Sequence, residues 1–152
     1  MPSFDSELIL PCSQEGIFDF LRRPANIARI SQPDMGLKFT LAPEVIEAGS
    51  RLEFQIVSFN QVHKVVHVIE TLTPHSLIHE KLIQGPMPSW IHQHRFEPHA
   101  DGVRLVDVIE FKLPGGLLGM FLSEDKILDQ LEDGFFHRGQ QLRRLVDAGE
   151  IQ

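Results

Sequence analysis

Several features are scarce in this chain, and each scarcity closes off a class of protein. Cys12 is the sole cysteine among 152 residues, so no intrachain disulfide can form. The sequence therefore suits a reducing compartment, and a cytoplasmic location is expected. No cluster of Lys and Arg relieves the formal charge of −7. A nucleic-acid surface would need a basic stripe, and an anionic membrane would repel the chain. No run approaches the roughly 20 apolar residues that span a bilayer. The longest candidate, 113–122, contains Pro114, Gly115, Gly116 and Gly119. The opening Met-Pro-Ser-Phe-Asp-Ser-Glu lacks the basic and apolar regions of a signal peptide. There is no internal repeat, low-complexity tract or linker, so one domain over 1–152 is expected. Hydrophobic content of 42% with 23% charged residues is that of a soluble globular protein rather than a disordered one.

What is present is concentrated in Gly85-Pro-Met-Pro-Ser-Trp-Ile-His-Gln-His-Arg-Phe96. On a strand over 89–97, Trp90, His92, His94 and Phe96 share one face, with Ile91, Gln93, Arg95 and Glu97 on the other. A surface that buries Trp and Phe must also shelter the imidazoles between them. Ala100-Asp101-Gly102 is a tight-turn signal, and Val103 to Lys112 alternates again. A two-residue hairpin loop pairs even positions of the first strand with odd positions of the second. Leu105, Asp107, Ile109 and Phe111 then lie beside the aromatic and histidine face, and Asp107 brings a carboxylate to both imidazoles. The outward Arg95 and Glu110 are expected to form a solvated cross-strand pair.

The rest of the chain frames this face. Residues 3–10 read as a strand with Phe4, Leu8 and Leu10 on one side. Ser13 caps a short helix holding Ile17, Phe18, Phe20 and Leu21, and Pro24 opens a second over Pro24–Ile30. Strands follow at 37–41, 51–59, 62–72 and 76–83, the third of these turning at Asn60-Gln61 from the second. Pairing parity puts His63, Val65, His67 and Ile69 on the face of Leu52, Phe54 and Ile56. The last third changes period: Leu117, Phe121, Leu128, Leu131, Phe135, Leu142 and Val146 form one apolar stripe along roughly seven helical turns. Ser123 can cap its main body and Gly149 can end it. Gly139, inside the stripe, is expected to admit a neighbouring backbone or something that is not protein. The order is strand, two short helices, six strands and a long amphipathic helix, which a bent antiparallel sheet can wrap.

This order resembles the START-like helix-grip superfamily of polyketide cyclase/dehydrase and lipid-transport proteins, over essentially the whole chain. Three segments look like an uncharacterised bacterial branch of it: Ile17-Phe-Asp-Phe-Leu-Arg-Arg-Pro-Ala-Asn26, Gly85-Pro86 followed by Trp90-x-His-x-His-x-Phe96, and Asp107 with Leu113-Pro-Gly-Gly116. The resemblance implies an α+β helix-grip fold, a bent antiparallel seven-stranded sheet around a long C-terminal helix with two short helices after strand 1. It also implies a cavity between sheet and helix that takes hydrophobic or amphipathic small molecules. Members include carriers, hormone receptors, cyclases and aromatases, so the resemblance alone stops at binding.

The expected ligand-binding residues are Phe54, His67, Trp90, His92, His94, Phe96, Asp107, Ile109, Leu131 and Phe135. His92 and His94, ~7 Å apart at Cα on a strand, have the spacing to chelate one metal with Asp107 as a third ligand. The plainer reading is that one histidine hydrogen-bonds Asp107 and both line the cavity; no metal and no cofactor are expected. An Asp-His pair in an apolar pocket also meets the needs of general acid-base chemistry. Whether the protein is an enzyme therefore stays open, with His92, His94 and Asp107 the catalytic candidates of a cyclase, dehydratase or hydrolase. A third alternative is an interaction module with a closed cavity. Cys12 is read as a small buried hydrophobe. The 113–122 segment is read as a lid or simple packing over the cavity, with membrane docking or dimer contact as alternatives.

Overall fold

The computed structural model describes residues 1–152. The chain runs β1 (Ser3–Leu10), α1 (Gln14–Leu21), α2 (Pro24–Ile30), one 3-10 turn at Pro33–Met35, then β2 (Lys38–Leu41), β3 (Arg51–Ser58), β4 (Gln61–Thr73), β5 (Leu77–Gln84), β6 (Ser89–His99) and β7 (Gly102–Lys112), and ends with α3 (Gly116–Phe121) and α4 (Glu124–Asp147). One antiparallel seven-stranded sheet has the order β1-β7-β6-β5-β4-β3-β2. This is the helix-grip architecture, α+β, with two short helices after the first strand. No helix is long and apolar enough to cross a membrane.

Local chemistry sets the boundaries. Ser13 is extended at ψ 151° and its side chain accepts from the Gly16 amide, so α1 starts there and buries Ile17, Phe18, Phe20 and Leu21. Pro24 occupies the first turn of α2, where its missing amide proton costs nothing. The β6–β7 hairpin turns at Ala100-Asp101, and Gly102 follows at φ +135°. A Cβ at Gly102 would sit 2.2 Å from the Leu10 carbonyl oxygen, so only glycine lets β1 approach the hairpin. The resulting register places Trp90 opposite Phe111, His92 opposite Ile109, His94 opposite Asp107 and Phe96 opposite Leu105.

Four expectations need correction. The β3–β4 turn is centred on Phe59-Asn60, at φ 51° and 63°, rather than on Asn60-Gln61. The parity is unchanged, and His67 still faces Leu52. The C-terminal stripe is not continuous: Ser123 at ψ 160° caps α4 and breaks the helix, leaving Leu117 and Phe121 78% and 64% exposed while Leu122 and Ile127 are buried. Arg95 faces Val106 rather than Glu110 and hydrogen-bonds Gln93 Oε1 instead. Gly139 admits no backbone, since a Cβ there would meet only the Leu8 side chain, at 3.8 Å; it borders instead an open cleft between β1 and α4.

The core has two parts. The larger joins α1 and α2 to Leu10, Ile69, Ile78, Phe96, Val103 and Leu105, and is closed by Leu142 and Ile151. The smaller gathers Ile109, Phe111, Leu122 and Ile127, with Phe4, Trp90, Leu131 and Phe135 packed on it. Residues from both line a cavity between the sheet and α4.

Candidate functional site

The cavity has a volume of about 470 Å³, within the range of small-molecule sites. Phe39, Phe54, Trp90, Ile109, Leu131 and Phe135 supply much of its apolar wall, and His67, Glu80, His92 and His94 its polar base. His67, His92 and His94 are buried, as is Asp107.

Glu80 is the hub of that base. Its carboxylate lies 3.4 Å from His67 Nδ1, 3.3 Å from His92 Nδ1 and 2.9 Å from His94 Nε2. On the far side of the same rings, His92 Nε2 donates to Asp107 Oδ1 at 2.8 Å. His94 Nδ1 lies 3.0 Å from that oxygen, but it is not aligned for a hydrogen bond and has no other partner; it is a charge contact. The two imidazoles stack with centroids 3.6 Å apart, so the pair is held between two carboxylates.

Charge follows from these contacts. Burial by itself raises the carboxyl pKa of Glu80, yet the contacts of His67, His92 and His94 outweigh it and hold the group well below its ordinary value. Asp107 behaves alike: burial opposes ionisation, but the Arg138 charge and the His92 and His94 contacts win and depress its pKa. Burial disfavours an imidazolium at His94, while Asp107 and Glu80 outweigh that cost and raise its pKa. The base of the cavity is therefore a pair of ionised carboxylates held by imidazoles inside apolar walls.

The structure sorts the ten expected residues. Phe54, His67, Trp90, His92, His94, Ile109, Leu131 and Phe135 line the cavity. Asp107 stands behind the histidines and borders a separate cleft between β1 and α4. Phe96 is set apart from the cavity: it lies in the core, edge-on to Phe18 at 5.2 Å between centroids.

Glu80 and Arg138 are the site residues that the sequence pattern does not announce. Glu80 reaches the inner face through two bulges, since Val66 pairs with Gln84 but His67 with Leu82, and Ile69 pairs with Glu80 but Thr71 with His79. Between the bulges β5 is shifted by one residue, which sets Glu80 opposite the inward Ile69 and beside His92. The signal available was the β5–β6 register alone.

Glu80, His92 and His94 bring their ligand atoms within 4.8 Å of one another, and Asp107 Oδ1 approaches the other nitrogens of the same two rings. Their types suit a divalent transition ion. Two imidazoles bound side by side to one ion, with bonds of ~2.1 Å, hold their ring centroids roughly 4.5–5 Å apart. The rings here stack at 3.6 Å, so metal binding would have to part them. The arrangement as it stands is a hydrogen-bonded acid-base cluster.

No family model and no curated protein matches the chain. Solved structures do. TTHA0849 from Thermus thermophilus is 14% identical, with 97% of this chain and 99% of that one covered, at a TM-score of 0.75. CV1439 from Chromobacterium violaceum is 15% identical over 95% and 96% of the two chains, at a TM-score of 0.70. Ara h 8.0201, a Bet v1-like allergen, is 11% identical over 90% and 92%, at a TM-score of 0.61. At these identities the likeness is one of fold.

Proposed function

We propose that the chain, as one START-like unit, binds or carries a small hydrophobic or aromatic molecule in the cavity between sheet and α4. The observation that carries this reading is the cavity itself, about 470 Å³, with apolar walls and the Glu80, His92 and His94 cluster at its base. Apolar walls supply affinity and a few fixed polar groups supply orientation. A cavity of this size also weighs against the closed one of an interaction module. Native mass spectrometry of protein purified without added ligand tests the reading. A co-purifying compound, lost on mutation of Leu131→Trp to fill the cavity, is expected; protein that stays at its bare mass and takes up no apolar probe would count against it.

A second reading is favoured by one detail. His94 lines the cavity with a raised pKa and is braced by two carboxylates, which suits a cofactor-free acid-base enzyme of the cyclase or dehydratase kind. In that case Asp107→Asn should lower turnover by orders of magnitude with little change in ligand affinity. Equal loss of both would point to binding alone.

A further inference from the structure

Arg138 is the one basic side chain other than histidine in the cavity lining. It projects from α4 with its guanidinium over the Phe135 ring, 5.3 Å from the centroid. Its Nη2 is buried and has no hydrogen-bond partner. No carboxylate closes on it: Glu80 is taken by three histidines and Asp107 Oδ1 by His92 and His94. Asp107, with which it also borders the second cleft, feels the Arg138 charge without forming an ion pair, and Asp34 and Asp133 of the cavity lining form none with it either. A guanidinium carries five donors and no acceptor, and a buried donor without a partner is costly. Such a group is stable in a cavity when the cavity's occupant brings the acceptor.

The shape of the group narrows that occupant. A planar fork matches a carboxylate in a bidentate pair, and the pair is stronger than a neutral contact. A single guanidinium balances a single negative charge. A doubly charged head group would leave an excess charge facing Glu80 and Asp107. The apolar remainder of the molecule would lie along Trp90, Leu131 and Phe135, which line the same cavity.

We infer that the ligand of this cavity is an amphipathic carboxylic acid, its carboxylate held by Arg138 and its apolar body by the aromatic wall. This rests on the binding reading above and names its ligand class. Isothermal titration with decanoic acid and with 1-decanol, near neutral pH, tests it. The acid should bind the wild-type protein about 10-fold tighter than the alcohol. Arg138→Met should weaken the acid by about 10-fold and leave the alcohol within about 2-fold; Arg138→Lys, which keeps the charge and loses the fork, should fall between. Equal affinity for the two probes overturns the inference and leaves the cavity reading standing, as does an acid preference that survives in both variants. Binding of neither probe overturns the cavity reading and the inference with it.

Discussion

The imidazole of His94 lies face to face with that of His92, centroids 3.6 Å apart and planes 29° from parallel. Glu80 lies against one edge of both rings and Asp107 against the other. This makes the stability of the cavity base depend on pH in two directions. His94 has a raised folded pKa, so its contribution is complete below the ordinary histidine value of about 6.5 and is lost as pH rises through the folded value. Glu80 and Asp107 have lowered folded values, so theirs is complete above about 4 and is lost as pH falls through those values. The cluster should therefore stabilise the fold most between about pH 4 and 6.5. Urea midpoints measured across pH should decline on both sides, and His94→Gln should flatten the alkaline side and, because His94 helps hold Glu80 and Asp107 low, also weaken the acid side. A wild-type midpoint unchanged from about pH 6.5 upward would contradict this account.

Glu80 is worth more to the fold than its place on a strand suggests. It accepts from His67 and His94 and touches His92, so Glu80→Ala leaves buried imidazole donors without an acceptor. Breaking one side of such a buried set costs about 3 kcal/mol. The exposed Glu110→Ala, on the outer face, should stay within about 0.5 kcal/mol of wild type. Chemical denaturation of the two variants compares them directly; equal effects would mean that the cluster does not stabilise the fold.

How much of this was legible beforehand depends on which relation did the positioning. The β6–β7 pairing was readable because Ala100-Asp101-Gly102 sets a two-residue turn, and a two-residue turn sets parity; Asp107 opposite His94 follows. The capping of α1 by Ser13 and of α4 by Ser123 was readable for a similar reason, since the signal is local. Glu80 was not, because its facing depends on two bulges that no turn residue marks. Arg138 and Asp107 come to border one cleft only when α4 crosses the sheet, a relation between segments far apart in sequence. Phe96 shows the opposite limit: it alternates correctly with His94, but α1 covers that end of the strand and Phe18 fills the space.

The break before Ser123 carries its own test. An unbroken stripe would make Leu117 a buried contact; in the structure it is 78% exposed, while Ile127 is 5% exposed. Leu117→Ala should accordingly change stability by no more than about 0.5 kcal/mol. Ile127→Ala should cost about 2–4 kcal/mol, the range for deleting a buried aliphatic side chain. Denaturant midpoints for the two variants decide between a broken helix and a continuous one.

Two glycines make opposite predictions from the same substitution. At Gly102, φ is +135° and a Cβ would stand 2.2 Å from the Leu10 carbonyl oxygen and 3.0 Å from the Cys12 amide nitrogen. Neither obstacle is a flexible side chain, so Gly102→Ala must move β1 or the hairpin, and a loss of about 2 kcal/mol or more is expected. Gly139 lies inside α4, and a Cβ there would meet only Leu8 methyl groups at 3.8 Å, an ordinary contact. Alanine then gains helix propensity without a clash, and Gly139→Ala should stabilise by about 0.5–1 kcal/mol. Thermal and urea unfolding read both signs. Destabilisation by Gly139→Ala would mean that the gap beside Leu8 is needed, which would revive the expectation that this position makes room for something other than a side chain.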